Sequence, residues 1–296
     1  MEWLNGLLAS KGAIVLGWLA LAFVLERLAP AAPRPAALGE GRRFVRNIAF
    51  FGLNGLVSLA VVVPVSQAAA TVGLGLRPPA WSGWPGLLAD LLLLDFLIYW
   101  WHRANHRVPL LWRFHEVHHL DRFLDTTTAV RFHFGEVVLS ALARAVVIVA
   151  LAIPLASILV FEALVLVAAI FHHSNLRLPP RVETALAFLI VTPSIHWVHH
   201  HRRRQDTDSN YSTILSLWDR LFRSRSPSAR TPAMEIGVEG CEEDGFTRLL
   251  LRPFRPRESL SSFLTPPHPR SAGSRFATLS PPGRGKGEGE SEGGGP

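Results

Sequence analysis

Long apolar runs separated by short basic or histidine-rich stretches organise this chain. Residues 12–25 carry no charge, and a helix running from Trp3 through Leu25, with Lys11 snorkelling, reaches far enough to cross a bilayer. Residues 47–76 form a charge-free stretch of 30 residues. That exceeds the roughly 20 needed for a span and predicts a helix that is tilted, or bent at Pro64. A third run, residues 87–101, encloses Asp90 and Asp95. Asp90 reads as a helix-start charge, which leaves Asp95 as the acid facing protein or a cavity. Residues 137–171 are almost wholly apolar and broken by Pro154 into two arms of 17 residues, so a helical hairpin turning at the proline is expected. Arg144 and Glu162 then lie at similar depth in the two arms, where a pair is cheaper than two lone charges, and they are expected to face each other.

Composition agrees: the chain is 49% hydrophobic and 18% charged, which excludes a disordered chain and disfavours a soluble one. Its single cysteine, Cys241, excludes a disulfide scaffold, a thiolate zinc ribbon and a cysteine-ligated iron–sulfur cluster. Basic residues set the orientation. Arg27, Arg34, Arg42, Arg43 and Arg46 precede the second run, Arg103, Arg107, Arg113, Arg122 and Arg131 follow the third, and only Arg77 lies between them. By the positive-inside rule the two arginine-rich segments are cytoplasmic. The expected fold is all-α: an integral membrane helical bundle of four to five membrane segments, a hairpin among them, with a cytoplasmic histidine-rich helical cap. Three regions are expected: N-terminal membrane segments (1–86), a catalytic domain (87–252) and a disordered tail (253–296) rich in proline, serine, glycine and arginine. No cleavable leader is expected. The basic stretches flank apolar runs, so they are assigned to topology and anionic lipid rather than to nucleic acid.

Twelve of the 13 histidines lie between His102 and His201. His102 and His106 stand at i, i+4 and share a helix face. His115, His118 and His119 form H-x-x-H-H, and His196, His199 and His200 repeat it, followed by His201. His172 and His173 end the hairpin, and His133 opens it. Lone histidines are more often satisfied polar residues than ligands, and His172, His201 and the tail residue His268 read that way. The clustered sets offer more imidazoles than one ion can take, so two metals are expected. Imidazole suits iron, zinc, copper or nickel alike, so the residues alone do not name the ion.

The stretches DFLIYWWHRANH, WRFHEVHH, TTAVRFHFGE, HHSNLRLP, IHWVHHHR and DSNYSTILSLWDRLF resemble, in this order, the membrane fatty acid hydroxylase and sterol desaturase superfamily over residues 90–222. The resemblance implies two iron ions, dioxygen as co-substrate and a lipid substrate. Ligand roles fall on His102, His106, His115, His118, His119, His196, His199 and His200, with His133 and His173 as further ligands. Asp208, Asn210, Tyr211, Trp218 and Asp219 match the closing motif. The pattern departs at Ser212 and Arg223, where glycine is usual. Asp95, Glu116, Asp121, Glu136 and Asp208 are candidates for fixing imidazole tautomers, although Asp121 reads more simply as a solvated charge. The expected reaction is hydroxylation or desaturation of a lipid C–H bond. No flavin, haem or ferredoxin motif is present, so electrons are expected from a separate reductase acting as external donor. The alternatives are a membrane zinc hydrolase, a haem-carrying membrane cytochrome, and a metal transporter or binding protein.

Overall fold

The computed structural model describes residues 6, 10–36 and 39–255, and among them helix is the only regular secondary structure apart from isolated bridges. The expected start of the first span falls outside the described residues, as does the expected disordered tail beyond Arg255, with His268; Arg252–Phe254, at the tail's expected start, form a 3-10 turn. The long elements are α1 (Lys11–Leu28), α2 (Glu40–Val57), α3 (Val63–Val72), α4 (Gly83–Arg107), α6 (Phe134–Leu151) and α7 (Leu155–His173). Short helices fill the rest: α5 (Pro109–His119), α8 (Pro180–Leu189), α9 (Pro193–His199), α10 (Arg204–Thr207), α11 (Leu217–Leu221) and α12 (Phe246–Leu251).

Among the described residues four stretches are long and apolar enough to cross a membrane: Gly41–Val72, Gly83–Arg107, Phe134–Leu151 and Leu155–His173. α1, with Lys11, Glu26 and Arg27, is not among them. Large side chains such as Leu59, Trp84, Leu88 and Val146 point outward from these helices. A water-soluble surface avoids such an apolar exterior; a lipid-facing one requires it. The second span is continuous but passes through a π turn at Ser58–Val62 immediately before Pro64. The wider turn relieves the clash of the proline ring with the preceding carbonyls and its missing N–H, so the bend is spread rather than sharp.

The hairpin turns where the proline places it. α6 ends at Ala152, whose φ of 49° is left-handed, Ile153 N–H caps back to Ile148 O at 3.1 Å, and Pro154 starts α7. Residues after α3 dock on this tip: Leu74 N–H donates to Val149 O at 2.7 Å. A Cβ on Gly73 would lie 2.4 Å from Ala152 Cβ, so the close approach needs glycine. Arg144 and Glu162 do face each other across the hairpin, at 3.7 Å.

Asp90, Asp95, Glu116 and Asp121 are all buried, and each has protein partners. Asp90 is buried inside α4, where Arg77 and the Ser157 hydroxyl (2.7 Å) satisfy it, so it ties α4 to α7 rather than capping a helix start. Asp95 accepts from the Ile214 and Leu215 N–H groups and from Trp218 Nε1 (2.8 Å), which fastens residues 214–218 to α4. Glu116 is held by Arg252 at 3.1 Å. Asp121 is fully buried rather than solvated, with Arg43 Nε at 2.6 Å, because the α2 guanidinium is buried beside it. Arg43 also donates to Asp125, the Phe123 carbonyl and the Thr128 hydroxyl, locking the loop after α5 onto α2.

Candidate metal centre

α5 packs against the end of α4, and α9 against the end of α7. This gathers the histidines of four separate stretches at one place. Nine of the ten histidines expected as ligands fall into two groups, within each of which the ring nitrogens lie inside 4.8 Å of one another. One group is His102, His106, His115, His119 and His199; the other is His118, His173, His196 and His200. All but His102 are buried. The groups adjoin: the rings of His119 and His200 stack at 4.2 Å, and those of His196 and His199 lie 5.1 Å apart.

Hydrogen bonds at Nδ1 decide what each Nε2 can do. His118 Nδ1–H donates to Arg131 O (3.1 Å), and His173 Nδ1–H donates to Ala169 O (2.8 Å). A carbonyl can only accept, so in both neutral rings the proton sits on Nδ1 and Nε2 carries a lone pair. Yet these two Nε2 atoms face each other at 3.0 Å, His173 Nε2 faces His196 Nε2 at 3.0 Å, and His196 Nε2 faces His200 Nε2 at 3.2 Å. In the His118–His173 contact two lone pairs are turned on each other, which repels unless a cation stands between them. Two nitrogens bound at right angles to one ion at about 2.1 Å lie about 3.0 Å apart, so the spacing fits shared ligation.

The group of five is built the same way. His115 Nδ1–H donates to Glu136 Oε1 (2.8 Å), and that carboxylate also accepts from Asn105 Nδ2 (3.1 Å). His102 Nδ1–H is taken by Tyr211 O (2.8 Å) and His199 Nδ1–H by Ser209 O (2.6 Å). His115 Nε2 then faces His119 Nε2 at 3.1 Å. His106 Nε2 and His199 Nε2 are buried without a hydrogen-bond partner, the state of a lone pair left for an ion. Burial, reinforced by neighbouring imidazoles, holds His118, His119, His196, His199 and His200 well below the ordinary histidine range. Neutral rings are what a metal needs.

His133 stands outside both groups, against the expectation that it would be a ligand. Its Nδ1 accepts from Gly135 N–H (2.9 Å), capping α6, and its Nε2–H donates to Leu250 O (3.0 Å), so neither nitrogen is free. His172 is buried beside His196 but belongs to neither group, and His201 bonds Asp206 at 2.7 Å. Of the five acids considered for orienting imidazoles, Glu136 hydrogen-bonds one; Asp208 lies 3.6 Å from His106 Nδ1. Backbone carbonyls do most of that orienting, which side-chain identity could not reveal.

The closing motif serves as a frame. Asp219 accepts from the Tyr211 and Ser212 N–H groups (2.8 and 2.9 Å), fixing the segment whose carbonyls hold His102 and His199. Asn210 and Arg223 have φ values of 52° and 54°, left-handed positions that asparagine and glycine favour; Arg223 stands where the resemblance leads one to expect glycine.

A cavity of about 410 Å³ opens beside the histidines. His102, His115, His118, His173 and His196 line it together with apolar side chains such as Phe51, Ile98, Val137 and Val165.

Residues 87–224 match the fatty acid hydroxylase family. The chain is 28% identical over 195 residues to an ornithine lipid hydroxylase, OlsE, of Rhizobium tropici, covering 65% of this chain and 57% of the relative. It is 32% identical over 152 residues to an alkylglycerol monooxygenase of Danio rerio, covering 51% and 32%. It is 31% identical over 168 residues to a very-long-chain aldehyde decarbonylase, GL1-5, of Oryza sativa subsp. indica, covering 53% and 26%. The chain thus spans between about a quarter and just over half of these relatives' lengths. No solved structure matches it.

Proposed function

We propose that this chain, whose residues 87–224 match the fatty acid hydroxylase family, hydroxylates a C–H bond of a membrane lipid with dioxygen and electrons from a separate reductase. The observation that carries the proposal is the pair of adjoining imidazole groups beside a largely apolar cavity. In this reading residues 87–252 are the catalytic domain, residues 1–86 are its membrane support, and the histidines face the cytoplasm. The ligands are His102, His106, His115, His119 and His199 for one iron, and His118, His173, His196 and His200 for the other. Bound there, a pair of iron ions would supply the dioxygen activation that no side chain can perform.

The chain's own residues do the remainder. Glu136 and the carbonyls of Arg131, Ala169, Ser209 and Tyr211 keep the protons of their histidines on Nδ1 and turn each Nε2 inward. The apolar walls exclude water and align an alkyl chain, which turns a bimolecular encounter into a positioned one. Names of relatives carrying hydroxylase and monooxygenase activities favour hydroxylation over desaturation.

The test is expression in a lipid-producing host with iron and a reductase present, followed by lipid mass spectrometry and metal analysis. One lipid class should gain the mass of one oxygen atom only in air, and the His118→Ala/His119→Ala double variant should lose both product and iron. Full-occupancy zinc with oxygen-independent activity, or no aerobic product from iron-loaded protein, overturns the proposal.

A further inference from the structure

Ser140 and Arg144, four and eight residues along α6 from the Glu136 that holds His115, also line the cavity beside the histidines. Arg144 lies well inside α6, a helix of membrane length, where an ion is expensive unless its charge and donors are met. They are met poorly. Among the described residues its one ion pair, with Glu162 Oε1 at 3.7 Å, is too long for a hydrogen bond, and the guanidinium makes none there. The other oxygen of Glu162 is taken by Lys11 Nζ at 3.1 Å. Two cations therefore share one carboxylate, and the less satisfied of them forms part of the cavity wall.

We propose that Arg144 anchors the anionic end of the substrate: the carboxylate or phosphate of a single-chain acidic lipid, whose alkyl chain runs from there to the histidines. This rests on reading the cavity as the lipid site. The planar fork of a guanidinium matches either anion with two parallel hydrogen bonds. The volume, about 410 Å³, lies toward the low end of ligand sites and suits one chain. The register follows from the helix. Glu136, which holds His115, and Arg144 are separated along α6 by about 12 Å at 1.5 Å per residue. The oxidised carbon is then fixed by its distance from the acidic end, whatever the total chain length.

Binding tests this without turnover. Purified protein in phosphatidylcholine nanodiscs, without reductant, is titrated with radiolabelled hexadecanoate and with unlabelled hexadecanoate, hexadecyl phosphate and hexadecanol as competitors. The better anion should compete at least about tenfold more strongly than the alcohol, and the preferred anion identifies carboxylate or phosphate. Arg144→Gln should abolish that discrimination, whereas Glu162→Gln, which releases the guanidinium, should increase it. A merely structural role would weaken all three competitors in both variants alike. Equal competition by hexadecanol in the parent, discrimination that survives Arg144→Gln, or a loss in Glu162→Gln overturns the assignment. Discrimination with no oxidised lipid in any assay would remove the oxygenase reading and leave the anchor standing; oxidised product without discrimination would do the reverse.

Discussion

Replacing Arg43 by methionine should destabilise the protein more than any change on its lipid-facing surface. The guanidinium is buried and spends its donors on Asp121 (2.6 and 2.8 Å), Asp125 (2.7 Å), the Phe123 carbonyl (2.7 Å) and the Thr128 hydroxyl (2.9 Å). Methionine fills similar volume but leaves two buried carboxylates short of their main partner. Breaking a buried ion pair from one side costs about 3–5 kcal/mol. At about 2–4 °C per kcal/mol, Tm should fall by on the order of 10 °C in thermal unfolding at one scan rate. The pH dependence is a second check. Burial alone would raise the pKa of Asp125, yet Arg43 holds it below its ordinary value. A depressed folded pKa stabilises above the unfolded value near 4 and is lost only as pH falls through the folded one, so the full penalty is expected at pH 7. Without the guanidinium burial prevails, the carboxylates protonate more readily, and the gap between parent and variant should narrow as pH is lowered toward 5. A Tm within about 2 °C of the parent, or a gap that widens on acidification, refutes the reasoning.

Two further outcomes probe the metal centre. Glu136→Gln removes the carboxylate that fixes the His115 tautomer, and should weaken metal binding at the group of five by about 10–100-fold in a metal titration while helix content stays unchanged; parent-like affinity would show that Glu136 has no such role. His133→Ala removes a helix cap, so Tm should drop slightly, at about 1 kcal/mol, with the metal stoichiometry of the parent; loss of one equivalent would make His133 a ligand after all.

Much of this arrangement was legible because membrane segments advertise themselves. Length, absence of charge and Pro154 were enough to place the hairpin and the facing of Arg144 and Glu162, since few structures can bury such runs. The partners of the acids were less legible. Asp90, Asp95 and Asp121 each have partners 13 to 123 residues away, and nothing local to them distinguishes a buried pair from a helix start, a cavity acid or a solvated charge. Positions outside any motif, such as Arg43 and Asn47, complete the loop beside the ligand helix, and only tertiary contact reveals them.

The histidine clusters were recognisable as ligand sets, yet the partition between the two groups was not. H-x-x-H-H reads as one set for one ion, but each copy divides. His115 and His119, at i and i+4, join one group while His118 joins the other; His196 and His200 pair in the second group while His199 crosses to the first. The reason is angular. Residues i and i+4 lie nearly one above the other on a helix, whereas adjacent residues are turned about 100° apart, so His118 and His119 cannot aim at the same point. Two such triads facing each other must therefore exchange their i+3 members, and neither group can be assembled without the other's helix. The second copy of the motif is thus a structural requirement of the paired centre: α5 and α9 each contribute to both groups, so displacing either helix should loosen both.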